Sequence, residues 1–517
     1  MSKVSATSRS ALSEAESIVE RIAAGAEDAP AIAAPERAVM THGGLRRQIA
    51  DAARQLNARG IGRGDRVAIV LPNGPEMATA FLSVASAAST APLNPAYRAD
   101  ELEFYLTDIG AKAILAGEEE TGPAVAVAAR LGIGVLRLHA LSDAPAGSFR
   151  IEGNNVGQPA VPGFAKADDI ALLLHTSGTT SRPKLVPLSH ANLAASASHI
   201  GATLGLTASD RCLNIMPLFH IHGLIAAVLS SLAAGGSVFC TPGFNALRFF
   251  QWLSEARPTW YTAVPTMHQA ILARAARNPE ALQAAKLRFI RSSSASLPAQ
   301  VMAELESVFG CPVIESYGMT EAAHQMTSNR LPPGLRKPGS VGAAAGPEVA
   351  IMATDGRLLE PGQTGEIVIR GPNVTAGYEK NPEANGSAFA HGWFHTGDQG
   401  MLDEDRYLRV TGRLKEIINR GGEKISPLEV DEVLMDHPAV AQVVTFAMPH
   451  DKLGEEVAAA IVLREGVVAN ENDIRSFASG RLADFKVPRK IVILDEIPKG
   501  ATGKLQRIGL AAKLGLE

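Results

Sequence analysis

Cysteine is scarce in this 517-residue sequence: Cys212, Cys240 and Cys311 are all there are, far apart and without metal-ligand spacing. That excludes a disulfide framework and fits reduced core residues of a cytoplasmic protein. Long apolar runs are missing too. The most membrane-like stretch, Leu224 to Ala234, is well short of the ~20 residues that span a bilayer. It stops at Gly235-Gly236 and reads as a buried helix. Lys3 and Arg9 near the start are not followed by the apolar core of a signal peptide, and the final Leu-Gly-Leu-Glu is not the Ser-Lys-Leu peroxisomal address. Neither charge dominates: 49 Lys and Arg against 53 Asp and Glu leave a net charge of −4, with no basis for a nucleic-acid or anionic-membrane partner. There is no internal repeat and no low-complexity tract. What remains is 46% apolar and 20% charged, as in ordinary globular proteins. At this length the chain divides into at least two domains.

The periodicity predicts an α/β protein. Ser13-Glu-Ala-Glu16 has the form of a capping box, opening a helix with Leu12, Ala15, Ile18, Val19 and Ile22 on one face. A second helix is expected around Leu45–Ala58, ended by Gly60 and the Gly62/Gly64 pair. The strand Arg66–Leu71 and a helix from Pro75 to Ala88 follow, and this alternation implies parallel sheets covered on both faces. Further strands are expected at Ile170–Leu174, Arg211–Met216, Ser237–Cys240, Trp260–Ala263, Leu287–Arg291 and Pro312–Glu315. From about Glu348 short strands and glycine turns predict a small antiparallel β region. Past Arg413, strands at Gln442–Ala447, Val457–Leu463 and Val487–Leu494 alternate with helices at Leu428–Met435 and Asn472–Leu482. The expected division is therefore 1–412, a short charged hinge at 413–416, and a small mobile α/β domain at 417–517.

The chemistry concentrates first at His175 to Lys184. After the Ile170–Leu174 strand come five hydroxyls (Thr176, Ser177, Thr179, Thr180, Ser181), one glycine (Gly178), and two cations, Arg182 and Lys184, flanking Pro183. Gly178 permits close approach of backbone to a ligand, and hydroxyls, amides and a lysine together suit a polyphosphate. A plain polar turn has similar composition. The P-loop pattern does not fit, because Pro183 precedes the lysine and Leu185 follows it.

Four further stretches decide between these readings. Glu315-Ser-Tyr-Gly-Met-Thr-Glu321 puts a hydroxyl beside a carboxylate, a pairing for phosphate oxygens with Mg²⁺. Trp393 to Asp398 offers a carboxylate after a glycine turn, suited to adjacent ribose hydroxyls, with Arg413 a second polar group for the same ligand. Pro498 to Lys504 ends in a lysine on a glycine-bearing loop. Taken singly, Tyr317, Glu321, Asp398 and Lys504 could each be ordinary core, helix-start, turn or surface residues. Their joint order resembles the acyl-adenylate-forming enzymes (acyl-CoA synthetases, luciferases and adenylation domains), from about Leu45 to Arg507.

The resemblance implies a two-step reaction: ATP and a carboxylate give acyl-AMP and pyrophosphate, then a thiol, usually coenzyme A, displaces AMP. It implies that Thr176, Ser177, Gly178, Thr179, Thr180 and Lys184 hold the β- and γ-phosphates. Thr320 would touch the α-phosphate, Glu321 would hold Mg²⁺, and Ser294, Ala295 and Ser296 would lie at the adenine, with Glu315 and Tyr317 on the same nucleotide. Asp398 and Arg413 would bind ribose, and Lys504 would stabilise charge developing at the α-phosphate. Gly421, Gly422 and Glu423 match the loop lining the pantetheine tunnel. Ser181 and Leu185 depart from the glycines common at their positions, which bears on loop mobility more than on ATP binding.

His220, His222, Ser294 and His324 fall where this family builds its acid pocket, a donor-rich lining suited to a short acid with a second carboxylate. The blocks His175–Pro187, Trp260–His268, Arg291–Leu297 and Asn419–Lys424 look most like the oxalyl-CoA synthetase branch. Three readings remain open at this stage: a CoA ligase for oxalate or another short, fatty or aryl acid; a stand-alone adenylating enzyme loading a carrier protein; and a non-catalytic nucleotide-binding protein, against which Lys504 and Glu321 argue.

Overall fold

The computed structural model describes residues 16–176, 183–498 and 505–516. Two large sheets form the N-terminal part. One runs Phe149–Glu152, Gly134–Ala140, Ala113–Gly117, Arg66–Val70, Ser89–Pro92, Ile170–His175 and Leu185–Ser189, parallel inside and antiparallel at both edges. The other has nine strands, and at its centre Ser237–Cys240, Arg211–Asn214, Trp260–Ala263, Phe289–Ser292 and Val313–Met319 run parallel. These strands are short and mostly buried, as parallel strands covered by helices on both faces are, and the few polar residues within them, Arg291 and Glu315 among them, are buried too. The expected boundaries shift by a few residues at most, and Pro30–Ala33 adds an unforeseen strand beside Ser237–Cys240.

Three helical segments fill the space between the sheets. Pro75–Ala85 touches Arg66–Val70 on one side and Ser237–Cys240 on the other, and His190–Leu204 likewise bridges Leu185–Ser189 and His324–Ser328. The third was expected as a regular buried helix over Leu224–Ala234. It is instead a π-helix, His222–Leu229, continued by the α-helical turn Ser230–Ala233, with every side chain buried. Wider π turns are associated with functional sites, and this one starts on His222. The predicted N-terminal cap also moves. Ser13 lies outside the described residues, whereas Ser17 caps the helix Ile18–Ile22, its hydroxyl accepting from Glu20 N while Glu20 accepts from Ser17 N. Among the described residues no helix is long and apolar enough to cross a membrane.

The antiparallel region appears as Glu348–Met352, Thr364–Arg370, Trp393–Leu402 and Leu408–Arg413. Beyond it lies a smaller α/β unit. The hairpin Ile418–Arg420/Glu423–Ile425 and the strands Val440–His450, Gly454–Leu463 and Lys490–Ile493 form its sheet, with helices Pro427–Met435 and Glu471–Ser479. The opening hairpin, expected only as a glycine loop, comes from two consecutive left-handed glycines, Gly421 (φ 58) and Gly422 (φ 100). The chain is thus α/β, with a large N-terminal part and a smaller C-terminal one.

Candidate active site

Ala263, Ser292 and Glu315 stand level in adjacent parallel strands, the third of which runs on to Met319, and ligands of α/β sheets bind beyond such carboxyl ends. Thr262 and Arg291 from two of these strands, with His324 from the strand His324–Ser328, meet the start of the π-helix there. Of the eight non-glycine residues with positive φ among the described residues, three border this point: Ser294 (φ 74), Ala323 (φ 47) and His324 (φ 102). Each such conformation costs about 1–3 kcal/mol, and here the surroundings hold it in place. Ser196 Oγ donates to Ala323 O at 2.6 Å, Asn373 Nδ2 to Ala322 O at 2.7 Å, and Thr375 N to Glu321 O at 2.7 Å.

The acid-pocket residues come together as follows. His222 Nδ1 is 3.0 Å from Ser294 Oγ, and its Nε2 is 2.6 Å from Thr262 Oγ1. The rings of His222 and His324 lie 4.9 Å apart. Behind them is a residue not named among the expected ligands, Arg291, which has no exposed surface. Its Nη1 donates to His324 Nε2 at 3.2 Å and to His222 Nε2 and Thr262 Oγ1 at 3.5 Å, and its Nη2 donates to Gln325 Oε1 at 3.3 Å. No ion pair to Arg291 occurs among the described residues, and its Nε finds no partner there. Burial pushes the guanidinium down to about 9, leaving it charged at neutral pH. The readable signal was an arginine inside an apolar strand, Phe289-Ile-Arg-Ser292. His220 stands one turn ahead of the pocket, its Nδ1 accepting from His222 N at 3.3 Å.

On the nucleotide side, Thr176 and Lys184 close the base of the phosphate hairpin. Thr176 N donates to Lys184 O at 2.9 Å and Lys184 N to Thr176 Oγ1 at 3.1 Å. Ser177, Gly178, Thr179, Thr180 and Ser181 lie outside the described residues. Leu185, the departure from the family glycine, is a buried strand residue paired with His175, so it anchors the far arm of the loop. Lys184 Nζ sits 4.4 Å from the ring centre of Tyr378, whose hydroxyl donates to Glu321 Oε1 at 2.7 Å. Tyr378 was not foreseen, and it lies in a glycine-rich loop whose sequence carries no motif. Burial raises the Glu321 pKa, while Tyr378, Arg413 and Lys184 oppose the rise.

Thr320 opens the short 3₁₀ turn Thr320–Ala322 directly after the strand Val313–Met319. Tyr317 donates to Asp398 Oδ2 at 2.5 Å and Arg413 Nε to Asp398 Oδ1 at 3.0 Å, which brings Asp398 and Arg413 together beside Tyr317. Ala295 and Ser296 are exposed at the tip of their loop. Glu315 differs: its Oε1 accepts from Leu297 N at 2.8 Å, so the carboxyl braces the loop from inside rather than facing the cleft. Gly421, Gly422 and Glu423 are exposed at the hairpin turn, and Lys504 lies outside the described residues.

The Mg²⁺ expectation fits a single carboxylate. Among the described residues there is no group of three metal-ligating side chains, but Mg²⁺ with a nucleotide is held by one or two carboxylates plus phosphates. Glu321, buried beside a lysine and a tyrosine hydroxyl, is such a group.

The family model described as AMP-binding enzyme matches residues 19–379, and that described as AMP-binding enzyme C-terminal domain matches 429–504. An oxalate–CoA ligase of Arabidopsis thaliana is 48% identical over 95% of this chain and 96% of its own length. One from Saccharomyces cerevisiae is 42% identical over 86% of each. The crystal structure of ATP-bound MatB from Rhodopseudomonas palustris superposes with a TM-score of 0.86 at 30% identity, covering 96% of this chain and 98% of that one. With the first model over most of the large N-terminal part and the second over the small C-terminal unit, this chain belongs to the family of AMP-binding enzymes.

Proposed function

We propose that this chain is an ATP-dependent oxalate–CoA ligase, which forms oxalyl-AMP and pyrophosphate and then transfers the oxalyl group to the thiol of coenzyme A. The observation that carries this reading is the fully buried Arg291, which forms no ion pair among the described residues and stands against His222 and His324. Oxalate activation leaves one carboxylate idle, and a desolvated charge must be paired or binding fails. The identity to oxalate–CoA ligases supports the same acid.

In this reading Thr176 to Lys184 hold the β- and γ-phosphates, and Thr320 contacts the α-phosphate. Ser294, Ala295 and Ser296 border the adenine with Tyr317, while Asp398 and Arg413 take the ribose. Glu321 would hold Mg²⁺, which supplies charge neutralisation on the phosphates when bound. Lys504 stabilises the charge that develops as a carboxylate oxygen attacks the α-phosphorus and pyrophosphate departs. Gly421, Gly422 and Glu423 line the pantetheine path in the second step. The boundaries 1–412, hinge 413–416 and 417–517 belong to this reading, as does a cytoplasmic location, supported by three buried free cysteines. The test is oxalate-dependent pyrophosphate exchange, followed by CoA thioester formation across oxalate, malonate, acetate, octanoate and coumarate. Oxalate is expected to lead. A clear preference for octanoate or coumarate discards the oxalate assignment and leaves the family intact.

A further inference from the structure

We propose that Arg291 is a specificity-determining positioning residue: it fixes His222 and His324 as neutral Nδ1–H tautomers, so that the Ser294 hydroxyl is left to donate to the acid's second carboxylate. This rests on the oxalate reading for the identity of the acid, but not for the tautomers.

The argument starts from what a guanidinium can do. It carries five N–H donors and no acceptor, so any ring nitrogen it meets must accept. Arg291 Nη1 meets His324 Nε2 at 3.2 Å. That nitrogen is therefore unprotonated, and the neutral ring carries its proton on Nδ1. A Cβ added at Gly318 would collide with the His324 carbonyl group and stand 3.2 Å from its Nδ1, so glycine there is required by the close approach of the two main chains. His222 is set through a longer chain with the same direction. Arg291 Nη1 points at both Thr262 Oγ1 and His222 Nε2 at 3.5 Å, which leaves the Thr262 hydroxyl to donate to His222 Nε2 at 2.6 Å. His222 Nδ1–H then donates to Ser294 Oγ at 3.0 Å, and the hydroxyl proton of Ser294, the half-buried member nearest the cleft, is released to a ligand.

Gln325 holds the guanidinium in this pose. Its Oε1 accepts from Arg291 Nη2 at 3.3 Å, and its amide nitrogen is spent on Thr203 Oγ1 at 3.1 Å and Ala345 O at 3.0 Å. The result is a hydroxyl donor backed by one buried positive charge. An acid with a second anionic group satisfies it, whereas a monocarboxylic acid of the same size leaves the hydroxyl and the charge without a counterpart.

The experiment combines ring-nitrogen spectra of the full-length protein labelled with ¹⁵N-histidine with the kinetics of Arg291→Met and Arg291→Gln. The wild type is expected to show Nδ1–H tautomers at His222 and His324, assigned by comparison with His222→Gln and His324→Gln. Arg291→Met should lose the Nδ1–H preference at His324 and raise the oxalate KM on the order of 10²-fold, with the ATP KM unchanged. Arg291→Gln, which keeps a donor but not the charge, should retain the His324 tautomer while raising the oxalate KM by less. An Nε2–H tautomer at either histidine in the wild type overturns the proposal. So does an Arg291→Met enzyme with normal ATP KM and an oxalate KM within about twofold of wild type. Should Arg291→Met fail to fold, the wild-type tautomers and Arg291→Gln decide the matter. Nδ1–H tautomers in a wild type that does not activate oxalate support the tautomer assignment and overturn the oxalate reading instead.

Discussion

At the scale of single residues, His324 bears the sharpest consequence of the pocket chemistry. It sits at φ 102, a conformation costly for any side chain, and is buried within 3.2 Å of Arg291. Alanine at the same backbone position keeps the strain and removes the donor. His324→Ala should raise the oxalate KM by about 10- to 100-fold, the worth of one hydrogen bond to a charged group at roughly 1.5–3 kcal/mol. The loss should be smaller than in Arg291→Met, because the buried cation remains. Steady-state kinetics with both substrates checks this, with the ATP KM expected to hold. Equal increases in the KM of ATP and oxalate would instead mean that the strained turn, rather than the histidine, had been lost. The histidines, Ser294 and Glu321 were legible in the sequence because their motifs are local. Arg291, Thr262, Gln325 and Tyr378 were not, since each acquires its role from neighbours brought together only by folding.

At the scale of elements, the loop Ser292–Leu297 depends on the next strand. Glu315, buried in Val313–Met319, accepts from Leu297 N, and burial pushes its pKa up to about 8, with the nearby Glu432 adding to the rise. Its folded pKa is thus raised above an unfolded value of about 4.3. The folded state holds the proton more tightly, so the stability this group contributes is complete below about pH 4.3 and is lost as pH rises through about 8. Glu315→Gln keeps an acceptor for Leu297 and removes the titration. The melting temperature of the variant relative to wild type should rise between about pH 4.3 and about 8 and level off above; a difference that stays flat across that window would place the carboxyl in a more solvated setting. The strands themselves were readable from apolar runs and turn residues. The π-helix was not, because every residue of His222–Leu229 except His222 and Gly223 is apolar, a composition that fits any buried helix and fixes no turn width.

For the whole molecule, the question is how one cleft serves two half-reactions. Gly421, Gly422 and Glu423 are exposed here, on the hairpin that begins the C-terminal unit. The two parts share a cluster of buried apolar side chains, in which Met267, Val301 and Leu305 of the first join Val430, Leu434 and Val440 of the second. Polar contacts add less: Arg409 pairs with Glu432 at 2.6 Å, but both side chains are roughly half exposed, and such pairs contribute about 0–1 kcal/mol. Gln269 Nε2 donates to Ala441 O at 3.0 Å and Ser426 Oγ to Thr411 O. The connection is a tight turn in which Leu414 N donates to Gly397 O at 2.9 Å, and Glu416 N and Ile417 N donate to Arg413 O at 2.8 and 3.1 Å. Lys415 is exposed at its apex, and its amide is not among these donors. Proline at 415 therefore removes none of these bonds, yet it fixes φ near −65° and denies the turn a second conformation. Lys415→Pro should retain oxalate-dependent pyrophosphate exchange, while thioester formation from oxalyl-AMP falls on the order of 10²-fold, the cost of holding reacting groups out of place. Measuring the two half-reactions separately on one preparation distinguishes this from general damage, which would lower both. Normal overall turnover in Lys415→Pro would remove the hinge from 413–416 and require the glycine loop to reach the thiol path by some other movement.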